Sequence, residues 1–183
     1  MLNEKELARL MKNAWKAGGY TVLEYGVGDL RRFLLSGGTW MVVCNAAQMP
    51  AKARGLLAEH MGFLPKGAAF LVRKDFPVQD LVDSVPMSDY SAIIAGVHEV
   101  LRPTRLTLDG MRVWQNEAGE VMLFNEELTG LICTHNIEIC RSGNYMVADI
   151  GSEFAAIHAE PEQAHPGTEE LEKIAWTNWE DDA

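Results

Sequence analysis

Residues 105–124 read RLTLDGMRVWQNEAGEVMLF, and the turns in this stretch decide the fold class. Asp109-Gly110 fits a two-residue type I′ hairpin turn, which needs positive φ at both central positions, and Asp and Gly tolerate that. Pairing across it sets Leu108 against Met111 and Leu106 against Val113, so all four point to one face. Arg105 then falls opposite Trp114 on the other face, where a guanidinium can lie on the indole. Glu117-Ala118-Gly119 forms a second turn, a three-residue loop with Gly119 as its left-handed residue, and this register adds Val121 and Leu123 to the same apolar face. Trp114, Met122 and Phe124 make the opposite face apolar as well. Strands apolar on both sides sit inside a covered sheet. The stretch is therefore predicted to be a three-stranded antiparallel meander with the rest of the chain packed around it.

Upstream, the spacing predicts a helix over 3–17. Asn3 is its cap, Glu6 completes a capping-box pattern, and Leu7, Leu10, Met11, Ala14 and Trp15 form one apolar stripe. That stripe is expected to pack on the protein's own sheet rather than on a partner helix. Strands are predicted at 20–25 (YTVLEY), at about 31–35 and at 40–45 (WMVVCN), separated by Gly-containing turns, which gives a second meander. A helix follows from Pro50 or Ala51 to Met61, stopped by Gly62, and then a strand at 69–74. That strand fits either a parallel βαβ return or an antiparallel one. WMVVCN, followed by a polar turn and a helix, is echoed by VMLFN followed by NEELTGLI, each third in its meander.

Further on, Asp75 is read as starting a short helix over 77–83, and Ser88 as capping a longer one to Leu101, with Tyr90, Ile93, Ile94, Val97 and Leu101 in a 3.6 period. Asn125 caps a helical turn after the central stretch. A hairpin is expected from 136–141 and 145–150 around Ser142-Gly143-Asn144, while 153–158 reads equally as strand or helix. Residues 160–167, with two prolines, are a linker. Thr168 caps a last helix to Trp179, with Leu171, Ile174, Ala175 and Trp179 along one edge.

The 183 residues, 48% apolar and 23% charged, suit one globular domain over 1–159 with an acidic linker and helix over 160–183 appended. No apolar run approaches the ~20 residues of a membrane span, and the amphipathic N-terminus lacks a signal-peptide core. Cytoplasmic location without a membrane partner is expected, with Cys44, Cys133 and Cys140 as reduced thiols. The net charge of −10 is uneven. Residues 1–75 carry 11 Lys/Arg against 6 Asp/Glu (+5), and residues 160–183 carry 1 against 8 (−7). The overall sign speaks against a nucleic-acid partner, because phosphate backbones are held mainly by basic charge.

Chemistry-bearing motifs are sparse. Gly26-Val27-Gly28 lacks the third glycine of a dinucleotide loop, no Walker lysine follows any Gly-rich turn, and neither G-x-S-x-G nor H-E-x-x-H occurs. No cofactor is predicted. Cys133, His135 and Cys140, with His158 or His165 as a fourth ligand, offer thiolate and imidazole to zinc. Their spacing matches no zinc pattern, and no metal site is assigned. His98 reads as a satisfied residue on its helix's apolar stripe, His60 as a helix-end residue bordering the buried side, and Asp149 as a turn cap. Trp176 and Trp179, at i and i+3 on an acidic helix, are the candidate protein-binding residues, since buried aromatics anchor interfaces.

The expected architecture is α+β: a largely antiparallel or mixed sheet built from two β-meanders, with helices packed against it. The expected function is a non-enzymatic protein-binding or self-associating module. The competing reading is an enzyme or small-ligand protein whose site is assembled from distant residues, with Cys133, His135 and Cys140 as its metal-dependent form.

Overall fold

The computed structural model describes residues 2–81, 85–96, 98–133, 137–160 and 168–175. Helix α1 (Glu4–Ala17) leads into strands β1 (Tyr20–Tyr25), β2 (Arg32–Ser36) and β3 (Trp40–Asn45), then α2 (Ala51–Met61), β4 (Ala69–Val72), β5 (Gln79–Leu81) and α3 (Val85–Ala95). The chain continues through β6 (Glu99–Leu108), β7 (Met111–Asn116), β8 (Val121–Asn125), α4 (Glu126–Thr129), β9 (Cys140–Ser142), β10 (Tyr145–Asp149), β11 (Glu153–His158) and α5 (Thr168–Ala175). Among the described residues the 11 strands share one open sheet, in the order β5-β4-β1-β2-β3-β11-β10-β9-β6-β7-β8. Every pairing is antiparallel. The fold is thus α+β and dominated by its sheet. The 69–74 question resolves as an antiparallel return of β4 onto β1, with Ala69 opposite Leu23.

The strand path repeats. β4 returns past β3 to pair with β1, and β9 returns past β8 to pair with β6. Both third strands end in asparagine, and each Oδ1 accepts the backbone N–H two residues on, Ala47 in one case and Glu127 in the other, at 2.9 Å. β11 and β10 together fill the place between the two sets, β11 pairing with β3 and β10, and β10 with β9.

The main core lies on one face of the sheet. Leu7, Leu10 and Met11 of α1 and Leu56, Leu57 and Met61 of α2 meet Val22, Leu35, Val42 and Ile157 there. Trp114, Met122 and Phe124 join the same core, so the inner face of β7 and β8 turns onto it. Asn3 caps α1 through Oδ1, which accepts the N–H groups of Lys5 and Glu6. The Glu6 carboxylate does not complete the capping box; it accepts from Arg9 Nε at 2.6 Å. Glu4 Oε1 instead accepts the Lys52 N–H at 2.8 Å, placing a carboxylate at the start of α2 where no cap side chain exists. On the opposite face, Ile93, Met87 and Tyr90 of α3 cover Leu34, Met41, Val43 and Phe154.

Three expectations fail here, each for a local reason. Residues 79–81 form an edge strand rather than a helix over 77–83, with Leu81 opposite Ala69. Helix α3 ends at Ala95, so Ser88 lies inside it and Leu101 belongs to β6. Gly96 is the stop: a Cβ there would stand 2.3 Å from Ser142 Oγ, which itself donates to the Ile93 carbonyl at 2.7 Å. Finally, Pro103, not Arg105, stands opposite Trp114. Thr104, Arg105 and Leu106 bulge against the single residue Val113. Pro103 brings no N–H to the ladder, while buried Thr104 donates to the Val113 carbonyl at 2.8 Å and accepts the Leu106 N–H at 3.1 Å.

His60 joins α2 to α1 and β1. Its ring stacks on Trp15 with centroids 4.2 Å apart, and its Nδ1 lies 3.1 Å from the hydroxyl of buried Tyr20. A neutral imidazole whose proton is on Nε2 accepts a hydrogen bond from that hydroxyl at Nδ1. Burial holds the His60 pKa below its ordinary value. With the folded pKa below the unfolded one, the stabilisation is complete above the unfolded pKa and lost as pH falls through the folded one. Intact protein is expected to melt at a lower temperature at about pH 5 than at about pH 7.5, and the difference should shrink in His60→Gln. An unchanged difference in thermal melts would remove His60 from that account.

Candidate functional site

The outer face of β6, β7 and β8 is the surface where the C-terminal segment meets the sheet. Leu106, Leu108, Met111, Val113, Val121 and Leu123 share it, with Val113, Val121 and Leu123 buried and the others half-buried. Asp109 and Gly110 adopt φ of 50° and 79°, as a type I′ turn requires. That turn sets Leu108 opposite Met111, and the Gly119 turn sets Val113 opposite Leu123. Leu171 of α5 packs into this cluster. Fully buried Gln115 reaches past the strand to donate to the Gly119 carbonyl at 2.8 Å and to the Glu172 carbonyl at 3.4 Å. α5 thus rests on all three strands, and among the described residues Leu171 and the Gln115 amide join it to them.

A polar network fixes the far end of the same strands. Asn116, 2% exposed, donates from Nδ2 to Glu99 at 2.8 Å and to Glu120 at 3.0 Å, while its Oδ1 accepts the Glu120 N–H. Arg141 of β9 pairs with the carboxylates of Glu120 and Glu99. Each group is matched by another of opposite character, so the network locks strand ends.

A shallow cleft of about 270 Å³ lies where β9, β10 and the start of β6 meet. His98, Glu138, Cys140 and Asp149 line it between Ile137 and Ile150. His98 is exposed there, beyond the end of α3, and not on a helical stripe; its Nε2 is 3.2 Å from the Ile93 carbonyl. Asp149 accepts the Gly151 N–H at 2.6 Å and caps the turn into β11. The Cys140 thiol lies 3.7 Å from Glu138 Oε1, and burial followed by that carboxylate raises its pKa. A thiol facing a carboxylate is held protonated, the opposite of what a nucleophile needs.

The other sequence candidates are scattered. Cys44 is buried in β3, its thiol pushed up to about 12 by burial first and Glu153 second. Cys133 is exposed and His158 stacks edge-on against Tyr145. His135, His165, Trp176 and Trp179 lie outside the described residues. Among the described residues no group of three or more His, Cys, Asp or Glu side chains is placed to hold a metal ion, and no helix is long and apolar enough to cross a membrane. Gln115 was not singled out by sequence; a glutamine inside a β-stretch carries no signal of its anchoring role. Compared with known proteins, the chain matches no family model and no curated sequence.

Proposed function

We propose that this chain is a non-enzymatic cytosolic module that binds another protein or a second copy of itself through its C-terminal segment, residues 160–183. In this reading the scaffold is two β-meanders, at 20–45 and 105–124, with helices packed against them. The second meander presents the binding surface. The observation that supports it is the seat of α5: an apolar strand face, half-covered at Leu106, Leu108 and Met111, against which Leu171 packs. A terminal helix docked at one edge of the sheet, with Glu170, Glu172 and Lys173 exposed, belongs to the low-stability end of the molecule, where exchange between partners is cheapest. Continuing its apolar stripe leads to Trp179, the kind of side chain that anchors an interface.

Replacing Leu171 with aspartate is expected to unseat the helix. Limited proteolysis should then cut between 160 and 175 markedly faster, and any association of the intact chain should weaken. Unchanged cleavage and unchanged association would contradict the reading. The cleft at His98 and Asp149 supports a second reading, a small-ligand protein with a site assembled from distant strands. Its signature is a small molecule that raises the melting temperature of the intact chain but not of Asp149→Ala.

A further inference from the structure

The cleft where β9, β10 and the start of β6 meet has a one-sided chemistry. Its polar lining comes from Glu138, Cys140, Asp149 and His98, with no lysine or arginine among them. Cys140 stands opposite Val147, and that register, carried two residues back from Cys140, brings Glu138 level with Asp149. Two carboxylates level with each other on neighbouring strands repel unless a cation comes between them. Among the described residues neither is paired with a lysine or arginine side chain. Acceptors are also left over. Asp149 takes the Gly151 N–H with Oδ1 alone, and a neutral His98 donates from Nε2 to the Ile93 carbonyl and keeps Nδ1 as an acceptor. Ile137, Val147 and Ile150 supply aliphatic walls, and Ile150 is 48% exposed.

We infer that this cleft binds an organic cation on a short aliphatic stem: a primary ammonium or a guanidinium at the end of a chain of methylenes, carried by a free alkylamine or by a lysine or arginine side chain. The inference rests on the small-ligand reading of this cleft and names its ligand class. Ammonium and guanidinium groups bring only donors, which matches a lining of acceptors and negative charge. The stem lies along the isoleucines, as such stems do on apolar surface. A bare metal ion fits less well, because among the described residues no three His, Cys, Asp or Glu side chains are placed to hold one. The volume of about 270 Å³ falls below the ~300 Å³ at which sites for drug-sized molecules begin, which suits a ligand of this kind.

The test is a titration of the intact chain with n-pentylamine, followed by the NMR shifts of its backbone amides, with circular dichroism confirming that each variant is folded. Saturable shifts are expected at the amides of 137–140 and 147–151. Glu138→Gln and Asp149→Asn should each weaken binding about tenfold, as loss of one charged partner does. Both variants keep an acceptor oxygen, for the Cys140 thiol in one case and the Gly151 N–H in the other. The alcohol n-pentanol, of the same shape without the charge, should leave these amides unmoved. N-acetyl-lysine methylamide separates the two sources: tighter binding than the alkylamine points to a protein side chain, weaker binding to a free amine. Shifts that never saturate, that spread over the whole acidic surface, or that survive both variants unchanged overturn the inference. If the amine fails while another small molecule raises the melting temperature of the intact chain but not of Asp149→Ala, the small-ligand reading stands and only this ligand class is wrong. If no small molecule does so, both fall.

Discussion

Phe124→Ala is expected to lower the unfolding free energy by about 3–5 kcal/mol, the largest single-residue loss in this fold. Phe124 is 0% exposed and sits on the inner face of β8, in the same core as α1 and α2. Its side chain is one of three, with Trp114 and Met122, that tie β7 and β8 to the helices covering β1–β3. Truncation removes the transfer free energy of the ring and leaves a cavity. The backbone around it has little freedom to close it: β8 is paired with β7 along its length, and the Leu123 carbonyl accepts the Glu160 N–H at 2.9 Å. Urea unfolding should show a lower midpoint with an unchanged slope. A loss below about 1 kcal/mol would mean that β8 stands outside the main core.

Gly37→Ala is expected to be the most damaging small substitution. A Cβ on Gly37 would stand 2.3 Å from both Cε2 and Nε1 of Trp40. That indole is only 4% exposed and belongs to the main core, so it cannot swing aside without displacing its neighbours. The Gly37 N–H also donates to the Trp40 carbonyl at 3.0 Å, which pins the backbone of the turn. Overpacking of this kind costs about 1–3 kcal/mol, sometimes more. Gly55→Ala is the control. It lies inside α2 with nothing within 4 Å of an added Cβ. It should stabilise by roughly 0.5–1 kcal/mol, because glycine loses more backbone entropy in a helix. Thermal melts of the two variants should therefore move in opposite directions; shifts of the same sign would contradict the packing described at Trp40.

What was legible in the sequence was local. The Asp109-Gly110 turn has a chemistry of its own, and with a period of two it predicts the six-residue outer face from Leu106 to Leu123. Gly62, at φ 78°, was readable as a helix stop for the same reason. The bulge at Thr104 was not readable. It depends on a buried hydroxyl meeting a carbonyl on the neighbouring strand, and the straight register placed Arg105 where Pro103 stands. β5 is too short to show a period and exists through its pairing with β4; the prolines and acids around it imitate a helix start. Strand order is non-local throughout: nothing in Glu153–His158 announces that it sits between β3 and β10. The candidate site divides in the same way. The apolar stripe containing Leu171 was visible, whereas its seat on β6–β8 and the meeting of His98 with Asp149 follow only from the order of strands.

The claim that association runs through the tail is tested most directly by native mass spectrometry of the untagged chain, intact and lacking residues 168–183. An assembled species is expected for the intact chain and a single subunit for the shortened one. A single subunit in both spectra, or the same assembly in both, would contradict it.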